Sequence, residues 1–528
     1  MSGSAGGRAV WNSKLGFILA ASGSAIGLGN IIFFGANAYR FGGGAFYVPY
    51  FVALLVLGIP MMIVELGLGV TQRSALPGAM YKTTGKHGEF WGWWSLLNAM
   101  IIAMYYITIL AWVAGMLIKG LDGSLYKGGA STVGSSLGDV FKSWLTVGLA
   151  FFIWGLNIFF LFRGTKTIEK AVKVFVPLMW FFMAVLVVRG LTLDSGFQGV
   201  WYLFTPNFSG ITEPTVWQGA FSQMFFSLSL GLGTMTAYAS YLPKKSDVVS
   251  NGSVVSFMNC GFEFVAGLAI FSMLFAFTLH PGESTGTLGL SLYVVPVGIA
   301  NFPALQTMFA VMFFFLLLIA GLSSSISIIE SPVAAISDKF GWSRKRSLLT
   351  VAGFGAAGSV LFALPIMLKQ GGTPKQSIGL SLLELFDHWA FGYSLLVVGL
   401  VEAIAIGWGY GIKKLRTQIN ENARFKLGPW FDVLIKFVIP ILIVTVLVLN
   451  VIKELGVTIS AIGLNKAGFY KGDAGTYDGY SWLPMAIFFI WLVVTVVGAY
   501  FLTVKGSYPD SAENAENHER ASSEGGEA

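Results

Sequence analysis

The chain has 528 residues, 55% of them hydrophobic and only 11% charged, with a mean hydropathy of +0.72. Soluble domains carry about 25% charged residues, so these proportions exclude an ordinary water-soluble domain and describe a polytopic membrane protein. The net charge of +7 does not argue for nucleic acid, because the basic residues fall between apolar segments, and the single cysteine, Cys260, excludes an intrachain disulfide framework.

Apolar stretches of about 20 residues or more, the length a bilayer demands, predict twelve membrane helices. They lie at 14–36, 44–70, 90–119, 144–162, 172–191, 217–241, 250–279, 306–336, 347–367, 379–411, 430–453 and 481–503. The first contains Gly23, Gly27, Gly29, Gly35 and the amide Asn30, where a membrane helix should be unbroken. The sixth repeats the pattern at Ser227–Gly233, and Gly-Leu-Gly occurs in both, at 27–29 and 231–233. Paired interruptions of this kind mark the central binding site of a transporter built from inverted repeats. Helices 1–5 and 6–10 would form the two repeats, with helices 11–12 appended.

Between these segments, 121–143, 192–215 and 280–304 are the longer loops, with apolar Gly- and Pro-containing patches able to form short caps. Most of the 33 Lys and Arg fall on the opposite side, which the positive-inside rule makes cytoplasmic. Both termini are then cytoplasmic, in a plasma (inner) membrane. The predicted divisions are an N-terminal segment at 1–12, a transporter core at 13–413, helices 11–12 at 414–504, and a disordered tail at 505–528 that is Glu-, Asn-, Ser- and Gly-rich.

A broken helix in lipid exposes peptide groups that cost several kcal/mol each unless satisfied. Free carbonyls suit a hard cation, and amides at a half-helix N-terminus suit an anion. Asn30, Asn259, Ser227, Ser323 and Ser324 add side-chain oxygens at membrane depth. Taken singly, such residues more often bond their own helix; their joint occurrence raises the ligand reading. Glu65, Glu263, Glu330, Asp387 and Glu402 are intramembrane carboxylates, which default to function. Glu263 follows Asn259 by four residues and shares its helix face. For Glu65 and Glu402 a structural hydrogen bond to a broken helix is the favoured reading. With four histidines and no nucleophile–base pair at membrane depth, the chain does not read as an enzyme.

Trp11, Gly16-Phe-Ile-Leu-Ala, Gly27-Leu-Gly-Asn30 and Gly42-Gly-Gly-Ala-Phe46 resemble the neurotransmitter:sodium symporter family. So do Phe225-Phe-Ser-Leu-Ser-Leu-Gly231, Tyr238-Ala-Ser-Tyr241 and Ala320-Gly-Leu-Ser-Ser-Ser325. The likeness runs from Arg8 to the last helix and is strongest to the prokaryotic amino-acid members. It implies an all-α LeuT fold and sodium-coupled symport of an amino acid. One sodium would lie among the Ala25 carbonyl, Asn30, Ser227, Asn259 and the substrate carboxylate. A second would lie among carbonyls of Gly23, Ile26 and Ala320 and hydroxyls of Ser323 and Ser324. The implied substrate pocket comprises Ser24, Ala25, Leu28, Gly29, Ile102, Tyr106, Phe226, Ser227, Ser229, Leu232, Ser324 and Ile328. Tyr106 would bond the substrate carboxylate and Phe226 would close over it.

The resemblance also sharpens individual positions. Gly27 stands where monoamine carriers place an aspartate, which favours a substrate bringing its own carboxylate. The apolar lining favours a small or medium apolar side chain. Glu263 replaces the serine of chloride-dependent members, which implies chloride independence and a group able to carry a proton on the return step. Arg8, Trp11, Tyr241 and Asp338 match an inner gate. The outer gate departs from the family: Phe33 takes the place of an arginine that pairs with the acid at Asp387. Either another cation reaches Asp387 or the gate closes on aromatic packing. A channel-like or non-transporting protein that kept the fold is the rival reading.

Overall fold

The structure is a computed structural model that describes residues 9–279, 289–368, 378–454 and 483–508, all helices, turns and connecting segments. The first predicted segment is two helices, α1 (Lys14–Ala25) and α2 (Leu28–Arg40), bent by 61° at Ile26–Gly27. Then follow α3 (Gly44–Gln72), α4 (Leu76–Leu121), α5 (Thr132–Lys142), α6 (Leu145–Leu161), α7 (Thr165–Leu191) and α8 (Gly196–Phe204). The sixth predicted segment is split into α9 (Pro214–Ser227) and α10 (Thr234–Ala239). The chain continues as α11 (Val248–Ala276), α12 (Leu290–Ala300), α13 (Gln306–Phe340), α14 (Arg344–Leu368), α15 (378–422), α16 (Pro429–Ile452) and α17 (Leu483–Val504). Among the described residues nine helices are long and apolar enough to cross a membrane, or eleven if each bent pair is one span.

Several helices run past the hydropathy signal. α4 begins at Leu76 rather than 90, with Lys82, Lys86 and His87 in its first turns and one non-helical residue, Gly85 (φ 71°). α7 begins at Thr165 rather than 172 and α15 ends at 422 rather than 411. Charged residues end an apolar window but do not end a helix whose end is wet. Two of the predicted loops hold short helices, α5 and α8, and the described part of the third holds α12. α8 lies so close to α11 that a Cβ on Gly199 would stand 2.2 Å from the Phe271 carbonyl oxygen.

Burial ranks the helices. In α4 and α13, 78% of the apolar span is buried, against 22% in α16 and α17. The interior is filled by Trp93, Trp112, Trp154, Tyr50, Phe34 and Phe225. Phe152, Phe159, Phe181, Ile441 and Tyr500 are exposed, as expected where the solvent is hydrocarbon rather than water. α4 and α13 pack along each other, with Leu110 filling the place a side chain would need at Gly321. This axis carries Tyr106 and Ser323–Ser324 to the break in α1–α2.

Beyond α17, Lys505–Tyr508 were expected to begin a tail. Tyr508 is instead buried and stacks on Tyr81, ring centroids 5.2 Å apart. The rest of that expected tail, and Arg8, lie outside the described residues.

Candidate functional site

The first break forms because Ile26 (ψ 88°) and Gly27 (φ −115°, ψ −165°) leave the helical region. A Cβ on Gly27 would stand 2.6 Å from Ser324 Oγ and 3.2 Å from Tyr106 Oη, so no aspartate fits there without displacing both. The second break, Leu228–Gly233, contains three left-handed residues: Ser229 (φ 55°), Gly231 (φ 76°) and Gly233 (φ 67°). Two are glycine, which adopts this region freely. Ser229 bears a strain of about 1–2 kcal/mol, held by its N–H donating to the Phe226 carbonyl at 3.1 Å.

The exposed peptide groups are bound by side chains from other helices. Glu65 Oε1 accepts from the Gly231 N–H at 2.8 Å, Ser95 Oγ donates to the Gly231 carbonyl at 2.7 Å, and Ser331 Oγ donates to the Gly233 carbonyl at 2.9 Å. Glu65 therefore has the structural role expected of it. Glu402 does not: its carboxylate neighbours Glu65 electrostatically, and among the described residues neither of its oxygens has a hydrogen-bond partner. α15 carries it towards the other acid rather than to unwound backbone.

Three of the expected first-ion ligands converge. Asn30 Nδ2 donates to Asn259 Oδ1 at 2.6 Å and to Ser227 Oγ at 3.3 Å, and Asn259 Nδ2 donates to Ser227 Oγ at 2.5 Å. Asn30 Oδ1 meanwhile accepts the Gly27 N–H at 2.8 Å, so the amide also caps the new helix. Asn30, Ser227 and Asn259 are all buried, and they join α2, α9 and α11 beside the break that carries Ala25. In the second set, Ser323 Oγ reaches the Gly23 carbonyl at 2.7 Å and the Ala320 carbonyl at 2.8 Å. Ser324 Oγ donates to the Ser24 carbonyl at 2.9 Å. The donor set is amide, hydroxyl and peptide oxygen, which suits a hard cation. Among the described residues no group of His, Cys, Asp and Glu could hold a transition metal.

The other expected pocket residues divide by what fixes them. Tyr106 Oη accepts the Leu28 N–H at 3.3 Å and so sits at the N-terminus of α2. Ser24 Oγ is turned to Ser327 Oγ, 2.6 Å away. Ala25, Leu28, Ile102, Leu232 and Ile328 are buried; Ile102 lies one turn from Tyr106 and Ile328 one turn from Ser324, on the same helix faces. At Gly29 a Cβ would meet the Phe33 ring at 3.3 Å. Phe226 stacks on Phe391 with centroids 4.5 Å apart.

Glu263 is fully buried in a polar cage that the sequence did not disclose. Gln223 Nε2 donates to its Oε1 at 2.8 Å, Tyr50 Oη donates to Oε2, and Asn37 Nδ2 donates to Gln223 at 2.9 Å. Glu263 follows Asn259 by four residues on α11, which places the acid one turn from the Asn30–Asn259 cluster.

At the other end, Trp11 is buried and wedged between Tyr238 and Tyr241, its indole N–H donating to the Tyr238 carbonyl at 2.9 Å. Tyr241 Oη donates to Glu330 at 2.7 Å. Asp338 accepts from the Ala75 N–H at 2.8 Å and from Ser74 Oγ at 3.2 Å. Sequence reasoning missed three partners here: Arg344, which grips Glu330 at 2.9 and 2.5 Å; Glu169, which takes the Ser13 hydroxyl at 2.7 Å and the Asn12 N–H at 3.0 Å; and the buried Lys339–Glu89 pair at 2.5 Å. The Glu169 and Lys339–Glu89 contacts join segments 156 to 250 residues apart, and Arg344 reaches Glu330 across the turn between two consecutive helices, so no local pattern announced them. The one available sign was an acid standing alone in an apolar segment, as Glu330 does.

The Asp387 expectation also changes. Its carboxylate accepts from the Tyr105 hydroxyl at 2.6 Å, while Phe33 stacks on Phe391 at 6.2 Å.

Comparison with known proteins agrees with this geometry. The model of the Sodium:neurotransmitter symporter family matches residues 8–133 and 124–494. The chain is 38% identical over 521 residues to the uncharacterized sodium-dependent transporter MJ1319 of Methanocaldococcus jannaschii, covering 94% of this chain and 99% of that protein. It is 29% identical over 470 residues to the human sodium- and chloride-dependent GABA transporter 2, covering 80% of this chain and 76% of the relative. Among solved structures, MhsT in complex with L-phenylalanine superposes with a TM-score of 0.73 at 29% identity, covering 84% of this chain and 99% of the other. The matched proteins are transporters, not enzymes, and the helical architecture is that of the LeuT fold. This chain belongs to the sodium:neurotransmitter symporter family.

Proposed function

We propose that the chain is a sodium-coupled symporter of an amino acid with a small or medium apolar side chain, working by alternating access in the plasma membrane with both termini cytoplasmic. The observation that carries this reading is the meeting of Asn30, Ser227 and Asn259 where the α1–α2 and α9–α10 breaks face each other. A sodium ion held there would be completed by the substrate carboxylate, so each ligand binds better with the other. A second sodium would lie between the α1 break and Ser323–Ser324. Tyr106 and the α2 N-terminus would receive the carboxylate. The absence of room for an acid at Gly27 favours a zwitterion over a bare amine.

Buried Glu263 supplies a fixed negative charge near the ions, which supports chloride-independent transport; in protonated form it would carry a proton on the return. Chloride dependence is a property of the human GABA transporter 2. The transporter core is read as 13–413, with helices 11–12 appended.

The test is uptake into proteoliposomes with an imposed inward sodium gradient, following a binding screen of the twenty amino acids with and without sodium. Accumulation above the external concentration supports symport. Sodium-independent equilibration would replace it with the channel-like reading.

A further inference from the structure

The structure assigns the outer gate of this chain to a stack of three aromatic rings that a hydrogen-bonded π-turn holds in place. Phe391 is its central residue. The inference rests on the reading that the two breaks enclose a transported solute.

The rings form a continuous column. Phe226, one residue before Ser227 at the end of α9, stacks on Phe391 with centroids 4.5 Å apart and planes 26° apart. Phe391 stacks in turn on Phe33 of α2 at 6.2 Å and 30°. The column therefore spans from the half-helix after the first break to the half-helix before the second. Phe33 also presses on Gly29, where a side chain would meet its ring at 3.3 Å. Both half-helices are closed over by one residue of α15, and that residue is apolar.

Phe391 is where it is because α15 changes pitch. The helix Ile378–Asp387 passes into a π-turn, His388–Tyr393, before α-helix resumes at Ser394. Turns of this kind are uncommon, and they occur often at functional sites because they re-aim side chains. Asp387 immediately precedes the turn and Phe391 follows four residues later, about one π-turn on, so both project from one face. Tyr105 on α4 donates to Asp387 Oδ1 at 2.6 Å. Tyr105 is buried against Phe362, whose ring is 5.8 Å away and edge-on, and Phe362 packs on Phe386 at 5.4 Å. The start of the π-turn is thus fixed to α4 by one hydrogen bond and a ring chain. Asp387 is a positioning residue: it accepts a neutral hydroxyl and sets the turn that carries Phe391. At Phe33 on α2, where the resemblance led one to expect the partner cation, the chain supplies a ring.

The experiment measures water access through the gate, with neither sodium nor amino acid present, so its failure is separable from failure of the transport reading. In a Cys260→Ser background, Ile102→Cys places one thiol on α4, buried one turn from Tyr106 in the proposed substrate pocket. A membrane-impermeant cationic methanethiosulfonate is applied from the side of the 122–143 segment, and the rate of labelling is read. Phe391→Ala is expected to raise the rate about tenfold or more, and Phe391→Tyr, which keeps a ring, to restore slow labelling. Asp387→Asn keeps an oxygen for the Tyr105 hydroxyl and is expected to label slowly, whereas Asp387→Ala and Tyr105→Phe label fast. Thermal unfolding in detergent checks that each variant is folded, and Phe33→Leu provides a second, milder opening of the same column. Fast labelling of Asp387→Asn equal to Asp387→Ala would show that charge holds the gate, and would overturn the proposal. So would Phe391→Ala and Phe33→Leu both labelling at the parent rate.

Discussion

At Asn30 and Asn259 the sequence was unusually legible. An amide at membrane depth has no water to bond, so it must meet backbone or another side chain, and the structure brings these two together through Ser227. Removing one amide should leave the fold and lose the ion. Asn259→Ala is expected to raise the sodium concentration for half-maximal amino-acid binding about tenfold, roughly 1.4 kcal/mol; an unchanged sodium response in isothermal binding would reject the assignment. Glu263 was legible as a buried functional charge but its partners were not, since Tyr50 and Gln223 come from α3 and α9. If its negative charge stands in for an anion, Glu263→Ser should make uptake depend on chloride, measured by replacing chloride with gluconate. Gluconate-blind uptake in that variant would count against the reading. Phe33 and Asp387 were singled out in the sequence, but Tyr105, which reaches the acid, was not. The spacing along a chain cannot say that a tyrosine hydroxyl, rather than a guanidinium, reaches the acid.

Elements obey a different logic. Glycine density marked both breaks, because an interrupted ladder needs left-handed residues and close backbone approach. It placed the second to within one residue, Ser227–Gly233 against the observed Leu228–Gly233, and that stretch stays unwound because Glu65, Ser95 and Ser331 from three other helices take its peptide groups. Deleting one such partner leaves a buried N–H unpaired, at about 1–3 kcal/mol. Glu65→Ala should therefore lower the unfolding temperature and weaken substrate binding together, while Glu65→Gln, which keeps an acceptor oxygen for Gly231, should lose much less. Equal losses in the two variants, by thermal unfolding in detergent, would show that the charge and not the hydrogen bond matters. The helix ends were misjudged for a related reason. Hydropathy sees the lipid-facing length, whereas α4 and α7 continue into water with Lys82, Lys86, Lys166 and Lys170 on their wet turns.

For the molecule as a whole, the wet end is tied by pairs that link distant segments. Lys339 at the end of α13 meets Glu89 on α4 and donates to the Thr503 carbonyl of α17 at 3.0 Å, with both charges almost fully buried. Breaking one side of a buried pair costs about 3–5 kcal/mol because the other charge is left unpaired. Lys339→Met should thus destabilise strongly, and Lys339→Met with Glu89→Leu should recover most of the loss. A double variant no better than the single one would mean that packing, not charge, ties these helices. What the sequence determined by itself was the solvent, the run of membrane segments, the two breaks and most oxygen-bearing residues beside them. Those follow from transfer free energy and local backbone freedom, which act residue by residue. Only the tertiary structure decided which oxygens converge, that Glu65 serves the backbone while Glu402 does not, and that rings rather than charges meet above the breaks. These depend on contacts between segments hundreds of residues apart, whose relative placement is set by packing of the whole bundle.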